Sequence, residues 1–473
     1  MFRFVSHAVA CMLLLLGIEV GLAQEAPPTT DATAVAVEAA PAVEADPLNT
    51  GDQAWLLTSC ALVLLMTPGL AFFYGGLVGR KNVLSILMQC FMSMCLVTIL
   101  WITVGFSIAF SPDEVAGGFC GNPMTHFMVA GIQTDQSWMA GATKLGISEQ
   151  LFMVFQMMFA IITPALIIGA FAERMKFIAF MIFIGAWSLI VYSPVAHWVW
   201  WGPASPIFGL GSFNAETGVP EGALDFAGGT VVHINAGIAA LVCCLVLGPR
   251  RGFPAQMTQP HNLPFAVLGA GLLWFGWFGF NGGSAFGASG QAVQAFVTTQ
   301  VATAVAGFTW AMIELVRNGK ATALGMITGA VAGMVAITPA AGFVSPGSAM
   351  VIGAGGTIVS YIFVAIVKPM FKYDDSLDVF GVHGMAGVWG ALATGVFAMK
   401  GFGKDQLGGL IEGNAAQVGI QAWAILVTVV YSGVVSFVLL KIIDLTIGLR
   451  CTEDAEKMGL DLSDHAETAY TIS

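Results

Sequence analysis

The sequence predicts an all-α polytopic membrane protein with eleven transmembrane helices, because apolar residues dominate it and recur in long stretches. Of the 473 residues, 57% are hydrophobic and 10% are charged, whereas roughly 25% are charged in an ordinary soluble domain. The 58 glycines and 12 tryptophans are typical of helices that pack closely in a bilayer and carry aromatic belts. A net charge of −11 leaves no basic surface large enough for nucleic acid. This composition excludes a cytosolic enzyme and a nucleic-acid-binding protein.

The N-terminal segment, residues 1–23, has the features of a cleavable signal peptide. Arg3 precedes an apolar run at 8–18, and the segment ends on the small residues of Gly21-Leu22-Ala23. A first transmembrane helix is the alternative, but the run is shorter than the roughly 20 residues that a span needs. Residues 24–50 are rich in Ala, Pro, Thr and acidic residues, so they predict a disordered linker on the periplasmic side.

The membrane domain is expected at residues 51–449. Eleven apolar stretches there, each bounded by Gly, Pro or charged residues, are long enough to form transmembrane helices. They lie at about 54–78, 84–110, 148–171, 176–199, 226–247, 263–283, 291–315, 321–338, 349–369, 378–399 and 416–447.

Basic residues are concentrated in alternate connections between these stretches. The connections that hold most of them contain Arg80, Lys81, Arg174, Lys176, Arg250, Arg251, Arg317, Lys320, Lys368 and Lys372. The remaining connections contain Lys144, Lys400 and Lys404. Because cytoplasmic loops carry the excess of Lys and Arg, this alternation predicts an N-terminus outside and a C-terminus in the cytoplasm. Residues 450–473 then form a cytoplasmic tail, whose acidic composition alone indicates a solvated segment.

A motif is repeated at the start of the fifth and tenth stretches. Both copies read Leu-Asp, a short glycine-containing segment and then Val-His-x-x-Ala-Gly, with His233 in the first and His383 in the second. The copies lie five spans apart, and because five is odd they enter the membrane from opposite faces. This spacing predicts an inverted repeat of five plus five helices followed by a final helix, with a substrate site where the halves meet.

The two histidines are the only ionisable side chains well inside the predicted spans. The Ala-Gly pair that follows each of them lies on the same helix face, and small residues let another helix approach closely. We therefore expect the faces that carry His233 and His383 to meet. A buried histidine that only bonds a backbone carbonyl is the alternative, but a pair in mirrored halves favours a functional role. Two histidines without a Cys or carboxylate at matching depth do not predict a metal site.

An aspartate precedes each histidine at the start of its span. Asp225 begins the fifth span, eight residues before His233. Two compatible roles are open for it: a helix cap that bonds the amides of Gly228 and its neighbours, or a carboxylate that attracts a cation toward the pore. Asp378 is expected to mirror it as a cap on the cytoplasmic side.

Aromatic residues cluster in three further spans. The third carries Phe155 and Phe159, the fourth ends with Trp200, and the sixth ends with Trp277, Phe280 and then Ser284. Each cluster alone is typical of an interfacial aromatic belt. The fourth and sixth spans, however, both finish on the predicted outer side. Aromatic faces beside a serine hydroxyl fit a small hydrogen-bonding cation there through cation–π contacts.

Taken together, these segments resemble the ammonium transporter family (Amt/MEP/Rh), in its bacterial Amt form, from about residue 53 to the C-terminus. The resemblance rests on residues 172–174, 196–200, 225–233, 277–284 and 378–384. It implies a homotrimer with one pore per subunit in the lipid bilayer of a bacterial inner membrane, which we expect to be Gram-negative. It also implies transport of ammonium and methylammonium without a cofactor.

The resemblance assigns roles to individual residues. Trp200 and Ser284, with Phe155 and Trp277 nearby, match an outer site that recruits ammonium. Below it, Phe159 and Phe280 match two stacked rings that close the pore. His233 and His383 match two histidines that line an apolar conduit, and Asp225 matches an aspartate that transport requires. The tail at 459–462 and 465–470 matches a segment that docks a P-II type nitrogen-signalling protein.

Selection by proton removal is the mechanism that these features favour. Ammonium and potassium have similar sizes, but potassium has no proton to give, so a pore that conducts ammonia and relays the proton separately excludes potassium. Carrying an intact ion through a dry pore would also be costly. The alternative function is an ammonium sensor or scaffold that mainly recruits the P-II type protein. An enzyme is not expected, because the sequence lacks His-Glu-x-x-His, Gly-x-Ser-x-Gly and Walker A motifs.

Overall fold

A computed structural model of the protein describes residues 48–140, 143–201, 222–255, 259–401 and 408–470. The predicted signal peptide and nearly all of the linker therefore lie outside the described residues. Within the described ranges, an apolar helix occurs at each of the eleven predicted positions, with ends within four residues of the prediction. These helices are α1 (Thr50–Leu77), α2 (Val83–Phe110), α3 (Glu149–Phe171), α4 (Phe177–Trp200), α5 (Gly229–Leu247), α6 (Leu263–Gly283), α7 (Gly290–Asn318), α8 (Ala323–Ile337), α9 (Pro346–Phe371), α10 (Phe380–Phe397) and α11 (Ala416–Thr446).

Helix length confirms the predicted fold class. Ten of the helices in the described part of the chain have at least 18 residues and are apolar enough to cross a membrane. The remaining one, α8, is a shorter apolar helix of 15 residues. The protein is therefore an all-α polytopic membrane protein. The count of eleven spans and the orientation of the two termini stay predictions.

Two short antiparallel hairpins lie between α2 and α3, where the sequence analysis predicted only a loop. In the second hairpin Trp138 stacks on Phe152 of α3, with ring centroids 4.2 Å apart and planes inclined by 9°. Ser148, the last strand residue, accepts a hydrogen bond from the amide of Leu151 and so caps α3. The hairpin is thus tied directly to the start of α3. The strands are β1 (Glu114–Val115), β2 (Cys120–Gly121), β3 (Ser137–Ala140) and β4 (Thr143–Ser148).

Segments of π-helix follow the same five-helix spacing as the sequence motif. Both α5 and α10 begin with one, at Gly229–Ile234 and Phe380–Met385. Both α4 and α9 contain one in their second halves, at Ser188–Tyr192 and Phe363–Val367. A further π-helical segment, Trp101–Gly105 in α2, has no counterpart in α7. Such segments are rare and often occur at functional sites, so their repetition supports the predicted division into two related halves.

Glycines allow the related helices to cross closely. A Cβ built on Gly237 of α5 would overlap the backbone of Gly384 in α10, and one built on Gly387 would lie 3.2 Å from the carbonyl oxygen of Gly229. The same holds where α1 meets α6, because a Cβ on Gly269 would overlap the backbone of Phe73. The expected meeting of the two histidine-bearing helix faces is therefore present.

The C-terminal tail is packed against the ends of the membrane helices. It forms two short helices, α12 (Glu453–Met458) and α13 (Leu460–His465). Asp461 accepts a hydrogen bond from the amide of Ser85 in the first turn of α2, at 2.8 Å. Asp464 accepts one from the amide of Phe177 at the start of α4, at 3.2 Å. Most of the described tail residues are exposed, as composition alone indicates, but these two carboxylates anchor the tail by accepting hydrogen bonds from free amides at two helix starts.

Candidate functional site

On its predicted outer side the candidate pore has a layer of three residues, Trp200, Phe155 and Ser284, which we call the outer layer. The indole nitrogen of Trp200 donates to the backbone carbonyl of Asp225 at 3.0 Å, which fixes the half-buried ring. The hydroxyl of Ser284 donates to the carbonyl of Phe280 at 2.8 Å. Its oxygen therefore keeps its lone pairs as acceptors for a cation that carries N–H groups. Phe155 lies beside Ser284, because a Cβ on Gly283 would be 2.8 Å from its ring.

Two stacked rings separate this outer layer from the histidines. The centroids of Phe159 and Phe280 lie 4.3 Å apart with planes inclined by 34°, and both side chains are buried. Phe159 also makes edge-on contacts with Trp200 at 5.6 Å and with Phe155 at 5.1 Å. The side chains from α3, α4 and α6 thus converge on one point, which they close with apolar rings.

His233 and His383 contact each other directly. Their Nδ1 atoms are 3.3 Å apart and their ring centroids 5.4 Å apart, and both rings are buried. A contact between two ring nitrogens requires one to donate a hydrogen and the other to accept it. The pair therefore shares one hydrogen between complementary tautomers. The Nε2 atom of His233 has no hydrogen-bond partner among the described residues.

A narrow cavity of about 10 Å³ extends along the histidine pair. This volume is close to the least that holds one water-sized molecule. Its wall is aliphatic and aromatic apart from the two imidazoles, so a neutral molecule of that size fits better than a hydrated ion. The lining residues are Met66, Leu70, Phe73, Ile162, Leu166, Val232, His233, Leu273, Trp277, Phe280, Val331 and His383.

Trp277 lies in the wall of this cavity, which corrects its expected place beside the outer site. Its ring stacks on His233 with centroids 5.5 Å apart and planes inclined by 15°, and its indole nitrogen donates to the hydroxyl of Thr338 at 2.9 Å. The reason is helical spacing. Trp277 precedes Phe280 by three residues while Ser284 follows it by four, so they lie on opposite sides of that ring along α6.

Asp225 caps α5 with both carboxylate oxygens. One oxygen accepts from the amides of Gly228 and Gly229, and the other from those of Thr230 and Val231, at 2.5–3.0 Å. These four bonds occupy the acceptor sites of a carboxylate. Of the two roles predicted for Asp225, helix cap and cation-attracting carboxylate, the structure shows the helix cap. The contact of Asp225 with the outer layer runs through its backbone carbonyl, which holds Trp200.

The cap of α10 is Asp375, so the expectation that Asp378 has this role is wrong. An oxygen of Asp375 accepts from the amide of Phe380 at 2.7 Å. Asp378 instead pairs with the ammonium group of Lys368 at 2.6 Å. The sequence carries a signal for this assignment that the sequence analysis missed, because Asp375 precedes His383 by eight residues, as Asp225 precedes His233.

A buried ionic cluster lies near this second cap. Arg250 bonds both oxygens of Asp374, at 2.8 and 2.9 Å, and one oxygen of Glu173 at 2.8 Å. Arg174 donates to the backbone carbonyl of Asp374 at 2.6 Å. Burial raises the pKa of Asp374, but its bonds to Arg250 outweigh this effect and hold the pKa below its usual range. The carboxylate of Asp374 is therefore held in its charged form, and the cluster joins the ends of α3, α5 and α9.

A sequence model of the Ammonium Transporter Family matches residues 54–470. This chain belongs to the ammonium transporter family. Within the family, the Aquifex aeolicus ammonium transporter is 47% identical over 426 residues, which cover 90% of this chain and 94% of the relative. The Bacillus subtilis ammonium transporter is 45% identical over 427 residues, covering 90% of this chain and all of the relative.

Two solved structures place the fold in the same family. The crystal structure of Saccharomyces cerevisiae Mep2 is similar with a TM-score of 0.78 and 33% identity, covering 86% of this chain and 90% of that chain. A structure named Sensor Amt Protein is similar with a TM-score of 0.76 and 28% identity, covering 88% of this chain and 98% of that chain. The family resemblance predicted from the sequence is thus confirmed.

Proposed function

We propose that this chain transports ammonium across the membrane by conducting ammonia through the histidine-lined cavity while the proton moves separately. The observation that carries this proposal is the contact between His233 and His383 in an apolar cavity behind two closed phenyl rings. Buried ionisable side chains in a membrane are costly and are retained for function. A cavity for one neutral molecule, lined by a pair that shares a hydrogen, suits ammonia.

Recruitment begins at the outer layer. Ammonium carries four N–H groups and a positive charge, so it binds the faces of Trp200 and Phe155 through cation–π contacts and donates to the free lone pairs of Ser284. Asp225 positions Trp200 through its carbonyl. In this proposal its carboxylate holds the start of α5 and does not touch the ion.

Passage requires Phe159 and Phe280 to move apart, because the stacked rings leave no opening. Deprotonation accompanies passage, since an intact ion in the apolar cavity would lose its hydration without compensation. Ammonia then moves along the cavity, and the proton passes through the hydrogen shared by the Nδ1 atoms of His233 and His383. Both imidazoles stay neutral on average, because a second positive charge at this depth would be unfavourable.

The expected setting of the protein belongs to the same proposal. We infer a homotrimer in the inner membrane of a Gram-negative bacterium, with a cleaved signal peptide at 1–23 and a periplasmic linker at 24–50. Eleven spans, with α8 as the short one, bring the tail at 450–473 to the cytoplasm. There the packed tail presents a surface to a P-II type signalling protein. The similarity to the Sensor Amt Protein supports the second candidate function, an ammonium sensor that mainly recruits such a partner.

Uptake of labelled methylammonium in a strain without other ammonium transporters tests the main proposal and separates it from the sensor. Wild-type protein is expected to import the label, and Trp200→Leu to import much less. Trp423→Leu is the matched control, because Trp423 is exposed on α11 and is not one of the residues of the candidate site. A wild-type protein that reaches the membrane and imports no label would leave the sensor as the function.

A further inference from the structure

We propose that Asp375 is the proton-accepting carboxyl group at the cytoplasmic end of the pore, where it takes the separated proton and returns it to ammonia. This inference rests on the proposed transport function and on the predicted orientation. It adds a residue that the family resemblance did not assign to any role in this chain.

Equal spacing from the histidines makes Asp375 the counterpart of Asp225. Each aspartate stands eight residues before its histidine and precedes the first residue of its helix. Each caps a π-helical first turn, of α10 and of α5 respectively. The two halves of the protein therefore place a carboxyl group at each end of the histidine pair.

The two carboxyl groups differ in their free acceptors. All acceptor sites of Asp225 are taken by amides. Asp375 uses one oxygen for the amide of Phe380, and its other oxygen, Oδ1, is buried without a hydrogen-bond partner among the described residues. The side chain is only 1% exposed. An orphaned acceptor in such a place is costly unless it binds a proton or a donor during function.

The chain next to Asp375 contacts α3, one of the helices that line the cavity. The residues that follow it bond α3, with the amide of Leu377 donating to the carbonyl of Gly169 at 3.0 Å. Three residues before that glycine, Leu166 lines the cavity, and its carbonyl accepts from the hydroxyl of Tyr74 at 3.0 Å. Leu377, two residues after Asp375, therefore bonds α3 about one helical turn away from a residue that lines the cavity.

Burial raises the pKa of Asp375 to about 6, although the nearby ammonium group of Lys368 opposes this effect. A carboxyl group with such a pKa binds and releases a proton near neutral pH. Its surroundings contain titratable groups from several helices and one connection. These are Lys368, Tyr373, Asp378, Tyr74, Cys243 and Cys244.

The proposed step is a plain proton transfer. The proton that leaves the histidine pair binds Oδ1 of the Asp375 carboxylate and forms the neutral acid. Ammonia that leaves the cavity then takes this proton, so that the O–H bond breaks, an N–H bond forms, and the products are ammonium and the carboxylate. No other reactant is consumed, and the residue is ready for the next proton.

Asp375→Asn tests the step, because asparagine keeps a carbonyl oxygen for the Phe380 amide but does not bind a proton near neutral pH. The matched control is Asp444→Asn near the end of α11, where an exposed carboxylate likewise accepts a hydrogen bond from one backbone amide, that of Leu449. For purified proteins in liposomes, ammonium-driven current and neutral ammonia entry, followed with an internal pH dye, are measured separately. We expect Asp375→Asn to lower the current at least about tenfold while ammonia entry persists, and the control to change neither.

Three outcomes would overturn the inference. An unchanged current in Asp375→Asn removes the proton role, and an equal loss of current and ammonia entry reduces Asp375 to a helix cap. The wild-type current must also fall as the pH is lowered through about 6, because the carboxyl group then stays protonated. A wild-type current that is constant across this interval contradicts the proposal even if the variant does not fold. A wild type without any ammonium-dependent current contradicts the proposed transport function itself, which is a distinguishable result.

Discussion

At the residue scale, the contact between His233 and His383 is the feature on which selection depends in the proposed function. Two neutral imidazoles that share a hydrogen offer a path to a proton and no charge to a metal cation. The cavity beside them is too small for a hydrated ion. In the proposed function, selectivity therefore depends on the chemistry of the pair and not on the size of a binding site.

Replacement of His233 tests this selection. His233→Asp introduces an acid that attracts cations and holds water, so potassium should begin to carry current. His233→Leu removes the proton path without adding a charge, so ammonium current should fall at least about tenfold and potassium should stay excluded. Both currents are compared with those of wild type in the same liposomes. Full selectivity of His233→Asp at normal ammonium flux would move selection to Trp200, Ser284 and the two phenyl rings.

The cap at Asp225 gives a second prediction at this scale. Asp225→Ala leaves four buried amides without their acceptor, so it should lower the free energy of unfolding by about 2–4 kcal/mol and abolish uptake. The free energy of unfolding of Asp225→Asn should lie between those of wild type and Asp225→Ala. The amide oxygen of asparagine satisfies one pair of N–H groups, but its NH₂ group faces the other pair. Thermal unfolding and methylammonium uptake are the measurements. An Asp225→Asn protein with full transport would show that the cap is all that transport needs from this residue.

At the scale of helices, close crossings through glycine hold the two halves together. Gly237→Ala places a methyl group against the backbone of Gly384, so α5 and α10 must separate and the two Nδ1 atoms must move apart. We expect a loss of stability of about 2 kcal/mol and reduced transport. The control is Gly419→Ala in α11, where a Cβ has open space and alanine favours the helix by about 1 kcal/mol. Equal unfolding temperatures for the two variants would contradict the close crossing of α5 and α10 at Gly237.

Helix positions were predictable because each span is a long apolar stretch with a charged, Gly or Pro boundary, as in α6, whose ends agree with the prediction. The π-helical segments were not, since they depend on backbone shifts that periodicity does not reveal. The hairpin at Ser137–Ser148 was missed because it is short and stabilised by contacts with α3. At the site, the histidine contact followed from the repeat. The place of Trp277 depended on which side of the Phe280 ring it occupies, and the cap of α10 depended on matching the spacing between Asp375 and His383 to that between Asp225 and His233.

At the scale of the whole molecule, the tail links distant parts of the chain. Asp461 and Asp464 bond the first turns of α2 and α4. His261, in the connection between α5 and α6, contacts the hydroxyl of Tyr470 at 3.0 Å. In the proposed function, a partner that binds or displaces the tail acts on the starts of α2 and α4 and on the connection before α6. This arrangement gives the tail a route by which binding can influence the pore.

Deletion of residues 450–473 tests the role of this surface. Because the packed tail presents the docking surface in our proposal, the deletion should prevent recruitment of a P-II type protein to membranes under nitrogen abundance. It should also lower the unfolding temperature, since the amides of Ser85 and Phe177 lose their acceptors. Recruitment is measured as the fraction of the partner that sediments with membranes. Deletion of residues 24–48, a segment of similar length on the predicted opposite side, is the control and should change neither quantity. Equal sedimentation of the partner with and without the tail would mean that it binds elsewhere, most directly to the connections that the tail now covers.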